Sequence, residues 1–173
     1  NPVRWFKKDH PLRIADVEMN KELAGTYMTN LVFSFPESII TDVEDEDKDK
    51  DEFSEEEIID ALTIKDPAVI KYIDQLGKYL VDIKDRNGDL MIGGTTSIAD
   101  LLRKIGNVAF NTNELPQTRE KVSQYMFLFE SGDLKKGRDM WKLVSSGESK
   151  KSQMWIHFKS GDNQNMILAQ KKL

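Results

Sequence analysis

Residues 66–96 read DPAVIKYIDQLGKYLVDIKDRNGDLMIGGTT, and this stretch decides the fold class. Asp66 stands where a helix cap belongs, and Pro67 takes the first helical position, where a missing N–H costs nothing. Val69, Ile73, Leu76, Leu80 and Ile83 then step by four, three, four and three. That spacing puts one apolar stripe on a helix running to about residue 84. Asn87-Gly88 breaks the helix, because both residues tolerate positive φ. Leu90-Met91-Ile92 reads as a short strand, closed by Gly93-Gly94. A helix with a single apolar stripe, followed at once by a strand, belongs on one face of a sheet.

The flanks continue the alternation of types. Upstream, residues 26–35 (TYMTNLVFSF) place Tyr27, Thr29, Leu31, Phe33 and Phe35 on one face of a strand that Pro36 ends. Downstream, Ser97 with Asp100 three residues on reads as a capping box. Ile98, Leu101, Leu102, Ile105 and Ala109 form the apolar side of the helix it opens. A second helix over 117–130 carries Val122, Tyr125, Met126 and Phe129 inward, and Ser131-Gly132 stops it. These Met and aromatic residues could line a lipid path, since Met adapts to varied apolar surfaces, but their helical spacing reads first as core.

Leu134–Val144 reads as a short helix with Met140, Trp141 and Val144 inside, and 145–151 as a polar turn. Residues 153–158 (QMWIHF) alternate again, with Met154, Ile156 and Phe158 opposite Trp155 and His157. Gly161-Asp162 opens a last helix carrying Met166, Ile167 and Leu173 on one side. Strand, helix, strand, helical insert, strand, helix is the order of a ferredoxin-like β-α-β-β-α-β unit without its final strand. The expected fold is therefore α+β: a leader over 1–25, then a ferredoxin-like domain over 26–173 with a helical insert at 97–144.

Composition narrows the function. The chain has 173 residues, 39% hydrophobic and 32% charged, and a mean hydropathy of −0.54, the balance of a water-soluble globular domain. No apolar run approaches the roughly 18 residues that a membrane span needs. There are no cysteines and only two histidines, His10 and His157, which excludes thiolate and multi-histidine metal sites. Net charge is 25 − 30 = −5, with a pI near 5.2, against the basic footprint of a nucleic-acid binder. Residues 42–60 hold twelve acids and two lysines, a net of −10, and 134–173 hold nine basic and three acidic residues, a net of +6. Such dense like charge reads as a solvated, disordered loop over 42–56. The chain begins Asn1-Pro2 and ends inside an amphipathic helix, which reads as a fragment of a longer protein.

Several residues then resemble a known family. Asn1-Pro2, Trp5-Phe6, His10-Pro11, Arg13-Ile14-Ala15-Asp16 and Gly25-Thr26-Tyr27 leading into a strand look like the segment after the first membrane helix of resistance-nodulation-division (RND) transporters, in the MmpL-like predicted-exporter branch. DPAVIKYIDQLGKYL, TTSIADLLRKIGN and LPQTREKVSQYMFLFESGD are similar to later parts of the same extracytoplasmic loop. The likeness covers most of 1–35 and 66–173 and lies in the order and spacing of these motifs. One departure is Ala24-Gly25, where the family pattern has two glycines.

The resemblance implies a porter (pore) subdomain on the periplasmic side of a bacterial inner-membrane exporter. In such proteins proton flow drives the export of hydrophobic or amphiphilic molecules such as lipids and drugs. The implied partners are the membrane helices and second porter loop of the same transporter, the substrate, and further copies of the parent protein. Trp5-Phe6 would lie near the membrane surface or pack beneath the domain. The proton-carrying acids of the family lie in membrane helices, so no catalytic, cofactor or metal residue is carried over to this chain. A different reading of the same sequence is a stand-alone extracytoplasmic α/β interaction module with an acidic partner- or calcium-binding loop.

Other chemistry is thin. Asp45, Asp47, Asp49, Asp51 and Glu56 fall at positions 1, 3, 5, 7 and 12 of an EF-hand register, but Lys50 replaces the turn glycine and Glu52 the apolar anchor. Asp85, Asn87 and Asp89 alternate, as turn residues do. Gly93-Gly94-Thr95-Thr96 before a helix could cradle an anion, but no lysine pattern accompanies it. Trp155 is a lone candidate for stacking an RNA base. No nucleophile motif, Walker loop or dinucleotide fingerprint occurs, so no enzyme and no cofactor are expected.

Overall fold

A computed structural model describes residues 2–35, 63–131 and 151–173. The predicted acidic loop, the EF-hand register and the helix over 134–144 lie outside the described residues. Among those described, the chain mixes helices with one three-stranded antiparallel sheet, an α+β arrangement.

The sheet is organised on β3 (Lys151–Phe158), two residues longer than the sequence pattern suggests. Ser152, Met154, Ile156 and Phe158 are buried on one face, while Gln153, Trp155 and His157 are half-buried on the other, so the expected alternation holds. β1 (Tyr27–Ser34) pairs along one side, with Tyr27 opposite Phe158 and Ser34 opposite Lys151. β2 (Ile92–Thr96) pairs along the other, with an irregularity between Ile92 and Gly94. The sheet order is β1-β3-β2.

β2 corrects the predicted strand. Leu90 makes only an isolated bridge with Lys84, and the strand begins at Ile92 and runs through both glycines. The reason is a close backbone approach. A Cβ on Gly93 would collide with the Ala24 carbonyl oxygen, so this glycine serves packing and not a turn. Gly25 completes the contact. It has φ +125°, where L side chains are strained, and a Cβ there would strike the Phe158 carbonyl. The chain entering β1 is thus wedged against both β2 and the end of β3.

α2 (Pro67–Val81) packs on β2. Its buried line is Ile70, Ile73, Gly77 and Leu80, continued by Ile83, with Val69 and Leu76 only partly covered. The predicted stripe is therefore rotated slightly, because Gly77 sits against Thr95 and Met154 and lets the helix approach the sheet. α3 (Ile98–Phe110) begins with the predicted box: the Asp100 carboxylate accepts from the Ser97 amide at 2.8 Å and the Ser97 hydroxyl at 2.9 Å. It buries Ile98, Leu101, Leu102 and Ile105, whereas Ala109 is exposed near its end. Asn111 stops it at φ 52°.

α4 (Arg119–Ser131) buries Val122, Tyr125 and Met126, with Phe129 partly covered. β3 leads into α5 (Asn163–Gln170), capped by Asp162, whose side chain accepts from the Gln164 amide at 3.0 Å. Met166 is partly buried, but Ile167 and Leu173, expected inward, are exposed, and Ala169 and Leu168 take the inner side.

The leader holds an element that the sequence pattern concealed. A 3₁₀ turn over Pro2–Trp5 precedes α1 (Pro11–Glu22). His10 caps α1, its Nδ1 accepting from the Leu12 amide at 3.2 Å, and its ring stacks on Phe6 with centroids 4.5 Å apart. Gly25→Ala should lower the denaturant-unfolding stability by more than about 1 kcal/mol, since it meets both a disfavoured φ and a backbone collision. Gly88→Ala, whose Cβ would meet nothing within 4 Å, isolates the φ cost alone.

Candidate interaction surfaces and ion pairs

Two aspartates tie the helical layer together. Asp74 on α2 faces α3, where the Arg103 guanidinium lies 2.6 Å from Oδ1, and Lys78 donates to Oδ2 at 2.9 Å. Burial pushes the Asp74 carboxyl up, but these hydrogen bonds and charges outweigh it and hold the group below the usual carboxylate range. Arg103 is raised in turn, first by its hydrogen bond to Asp74.

Asp66 is predicted to cap α2, yet its side chain makes no such bond. Its Oδ2 instead accepts from the Thr63 amide at 2.9 Å and its Oδ1 from Arg119 Nε at 2.6 Å. Burial raises the Asp66 carboxyl, and the Arg119 and Thr63 bonds more than offset this. One acid therefore joins α2 to α3 and the other joins α2 to the start of α4.

The motifs weighed for chemistry are mostly used up by the fold. Asp85 Oδ1 accepts from the Asn87 amide at 2.8 Å and the Asp89 amide at 3.0 Å, which makes DRNGD a closed turn. Gly93-Gly94-Thr95-Thr96 is strand, so neither a turn nor a loop that could cradle an anion forms there before α3. His10 is a helix cap. His157 lies on the outer sheet face, 3.4 Å from the Thr96 hydroxyl. The Met and aromatic residues of α4 split: Tyr125 and Met126 are core, while Phe127 is exposed.

No group of three or more His, Asp or Glu that could hold a metal ion occurs among the described residues. Every buried side-chain nitrogen or oxygen among them has a hydrogen-bond partner. No helix among them is long and apolar enough to cross a membrane.

What stays open is surface. On the outer face of the sheet Met28 lies opposite His157, Asn30 opposite Trp155 and Val32 opposite Gln153. Met28 and Val32 are more than half exposed. On that face Trp155 lies across the strands from Asn30 and Thr96. The far edge of β1 carries no strand among the described residues. Sequence reasoning left α1 out altogether, and its surface is distinctive: Leu12, Ile14, Val17, Met19 and Leu23 are all about half exposed. No family model, curated protein or solved structure matches this chain.

The aspartate pairs generate a pH prediction. Both folded-state carboxyls lie below their unfolded values, so their contribution is complete above the ordinary carboxylate range and is lost as pH falls through the folded values, below about pH 4. Asp74→Asn should cost about 2 kcal/mol at neutral pH, the scale of a charged hydrogen bond. It should also flatten the acid limb of stability against pH relative to the parent chain, as measured by urea unfolding at a series of pH values.

Proposed function

We propose that residues 26–173 are a ferredoxin-like porter subdomain of a proton-driven RND-type exporter, set on the periplasmic side of a bacterial inner membrane. The observation that carries this reading is the sheet. β1 and β2 both run antiparallel to the β3 between them, and α2 makes the crossover that joins β1 to β2. A β-α-β-β-α-β sheet contains this three-strand order, and α5 leaves β3 where the second crossover helix belongs. A crossover through α5 would set a fourth strand on the open edge of β1.

β1 suits such a neighbour. Its eight residues, YMTNLVFS, include no charge and no proline, the usual devices that protect an edge. The motif order in the sequence supplies the family side of the reading. In this role the chain performs no chemistry. It moves as a packed unit against the second porter loop while protonation occurs in the membrane helices, and it forms part of the path for a hydrophobic or amphiphilic substrate. The ion pairs of Asp74 and Asp66 suit that task, because they lock the helices to one another across the layer.

The gene sequence on either side tests this directly. An apolar stretch of about 20 residues should precede Asn1, and several should follow Leu173. Their absence on both sides would overturn the exporter reading in favour of a stand-alone interaction module. A chain extended past Leu173 should also slow hydrogen exchange of the outward-facing β1 amides, which exchange freely in the present chain if that edge is open.

A further inference from the structure

α1 meets the rest of the domain through one polar row. At about 100° per residue, Arg13, Asp16 and Asn20 fall on one side of the helix. They are the three residues of α1 that are not exposed. Asp16 accepts from the Tyr27 hydroxyl at 2.9 Å. Asn20, the one buried residue of the helix, accepts from the Thr26 amide at 2.9 Å and the Thr26 hydroxyl at 3.1 Å, and donates to the Asp16 carbonyl at 2.7 Å. Apolar packing adds little to these bonds. Leu12 and Met19 flank the row on one side and Val17 on the other, yet each is about half exposed. A cleft of about 420 Å³ opens here, lined by Arg13, Asp16, Val17 and Asn20 from α1 and by Lys159 and Ser160 just after β3. The helix stands off from its neighbours where packed elements would interdigitate.

The leader is also tied to itself. Arg13 donates to the Phe6 carbonyl at 3.1 Å, the Phe6 ring stacks on His10, and His10 caps α1. These contacts join the 3₁₀ turn and α1 into one piece. Toward the body the turn adds Arg4 to Asp162 at 3.5 Å, an exposed pair of the kind that contributes little. The connection to β1 is short. Leu23 is extended, with φ −99° and ψ 167°, and Ala24 next to it is held by its backbone approach to Gly93. Rotation therefore has its place at Leu23, between the end of a helix and a fixed residue.

We propose that residues 2–23 form a hinged arm that swings about Leu23 while the sheet and α2–α4 keep their packing, with Asp16 and Asn20 on Tyr27 and Thr26 as its latch. Opening exchanges a few hydrogen bonds for bonds to water and uncovers little apolar surface, so it takes far less free energy than unfolding the core. It widens the cleft beside Lys159 and Ser160. The arm stands apart from the exporter reading: flanking spans in the gene decide that one, and distances within the 173-residue chain decide this.

The chain has no cysteine, so introduced pairs can be spin-labelled without background. Ala15→Cys with Gln75→Cys spans arm and body, and Gln75→Cys with Lys104→Cys spans α2 and α3 within the body. All three positions are exposed. Pulsed electron paramagnetic resonance should give the body pair one narrow distance and the arm pair a second population beside the docked one. Tyr27→Phe and Asn20→Ala should each raise the ratio of undocked to docked arm about fivefold, the scale of one net hydrogen bond, and leave the body pair unchanged. Leu12→Ser, beside the row but outside the latch, should leave the ratio as it is.

One docked distance in the parent chain and in both latch variants overturns the inference. So does a ratio that answers to Leu12→Ser and not to the latch variants, since apolar packing is then the tie. A body pair that broadens whenever the arm pair does, or a latch variant that loses its circular dichroism, overturns it too, because the leader then unfolds only with the core.

Discussion

The architecture depends on β3 being held between two strands that lie far from it in sequence. Its inner row, Ser152, Met154, Ile156 and Phe158, is buried, and each residue of that row is set by the register with β1, 119 to 131 positions earlier. Because strand side chains alternate, a slip of one residue would expose all four and bury Gln153, Trp155 and His157 instead. The energetic gap between those two registers is large, about 1.5–3 kcal/mol for each big apolar side chain. The buried side chains of α2 and α3 belong to the same core as this row, with α2 packed on β2 beside it.

A second constraint acts where the leader meets the sheet. Ala24-Gly25 passes so close to Gly93 and to the Phe158 carbonyl that a side chain at either glycine would collide with backbone. This contact joins the entry of β1, the start of β2 and the end of β3 at one point. It also explains why a single glycine suffices at the 24–25 turn: Gly25 takes the positive φ, while Ala24 contributes its carbonyl oxygen to the tight approach. α1 hangs from the same corner by Asp16 and Asn20, polar residues bonded to Thr26 and Tyr27 just beyond the turn. The leader is thus fastened by hydrogen bonds and not by burial, which leaves Leu12, Ile14, Val17 and Met19 exposed.

The described interior is complete in the sense that its buried side-chain polar atoms are partnered. Its charged groups near the core, Asp66 and Asp74, are matched by arginines from the neighbouring helices. What the described residues leave open lies at the periphery: the edge of β1, with no strand beside it among them, the outer sheet face around Met28 and Val32, and the leader with Trp5.

Periodicity made most of the elements legible. The strand alternation at Tyr27–Phe35 and Met154–Phe158, the stripes of α2, α3 and α4, and the Ser97–Asp100 box are local patterns, and local sterics and hydrogen bonds suffice to express them. Three features escaped because their causes lie elsewhere in the chain. β2 runs through Gly93-Gly94 since Ala24 presses on it, which no window around residue 93 reveals. α1 shows no apolar stripe toward the body, so a search for one passes it by. Asp66 abandons its cap for Arg119, 53 positions on. Chain-local chemistry chose helix or strand in most of the described elements; the order β1-β3-β2, the glycine contacts and the exposure of the apolar side chains of α1 were settled by packing between distant segments, because only there do backbone approach and burial compete.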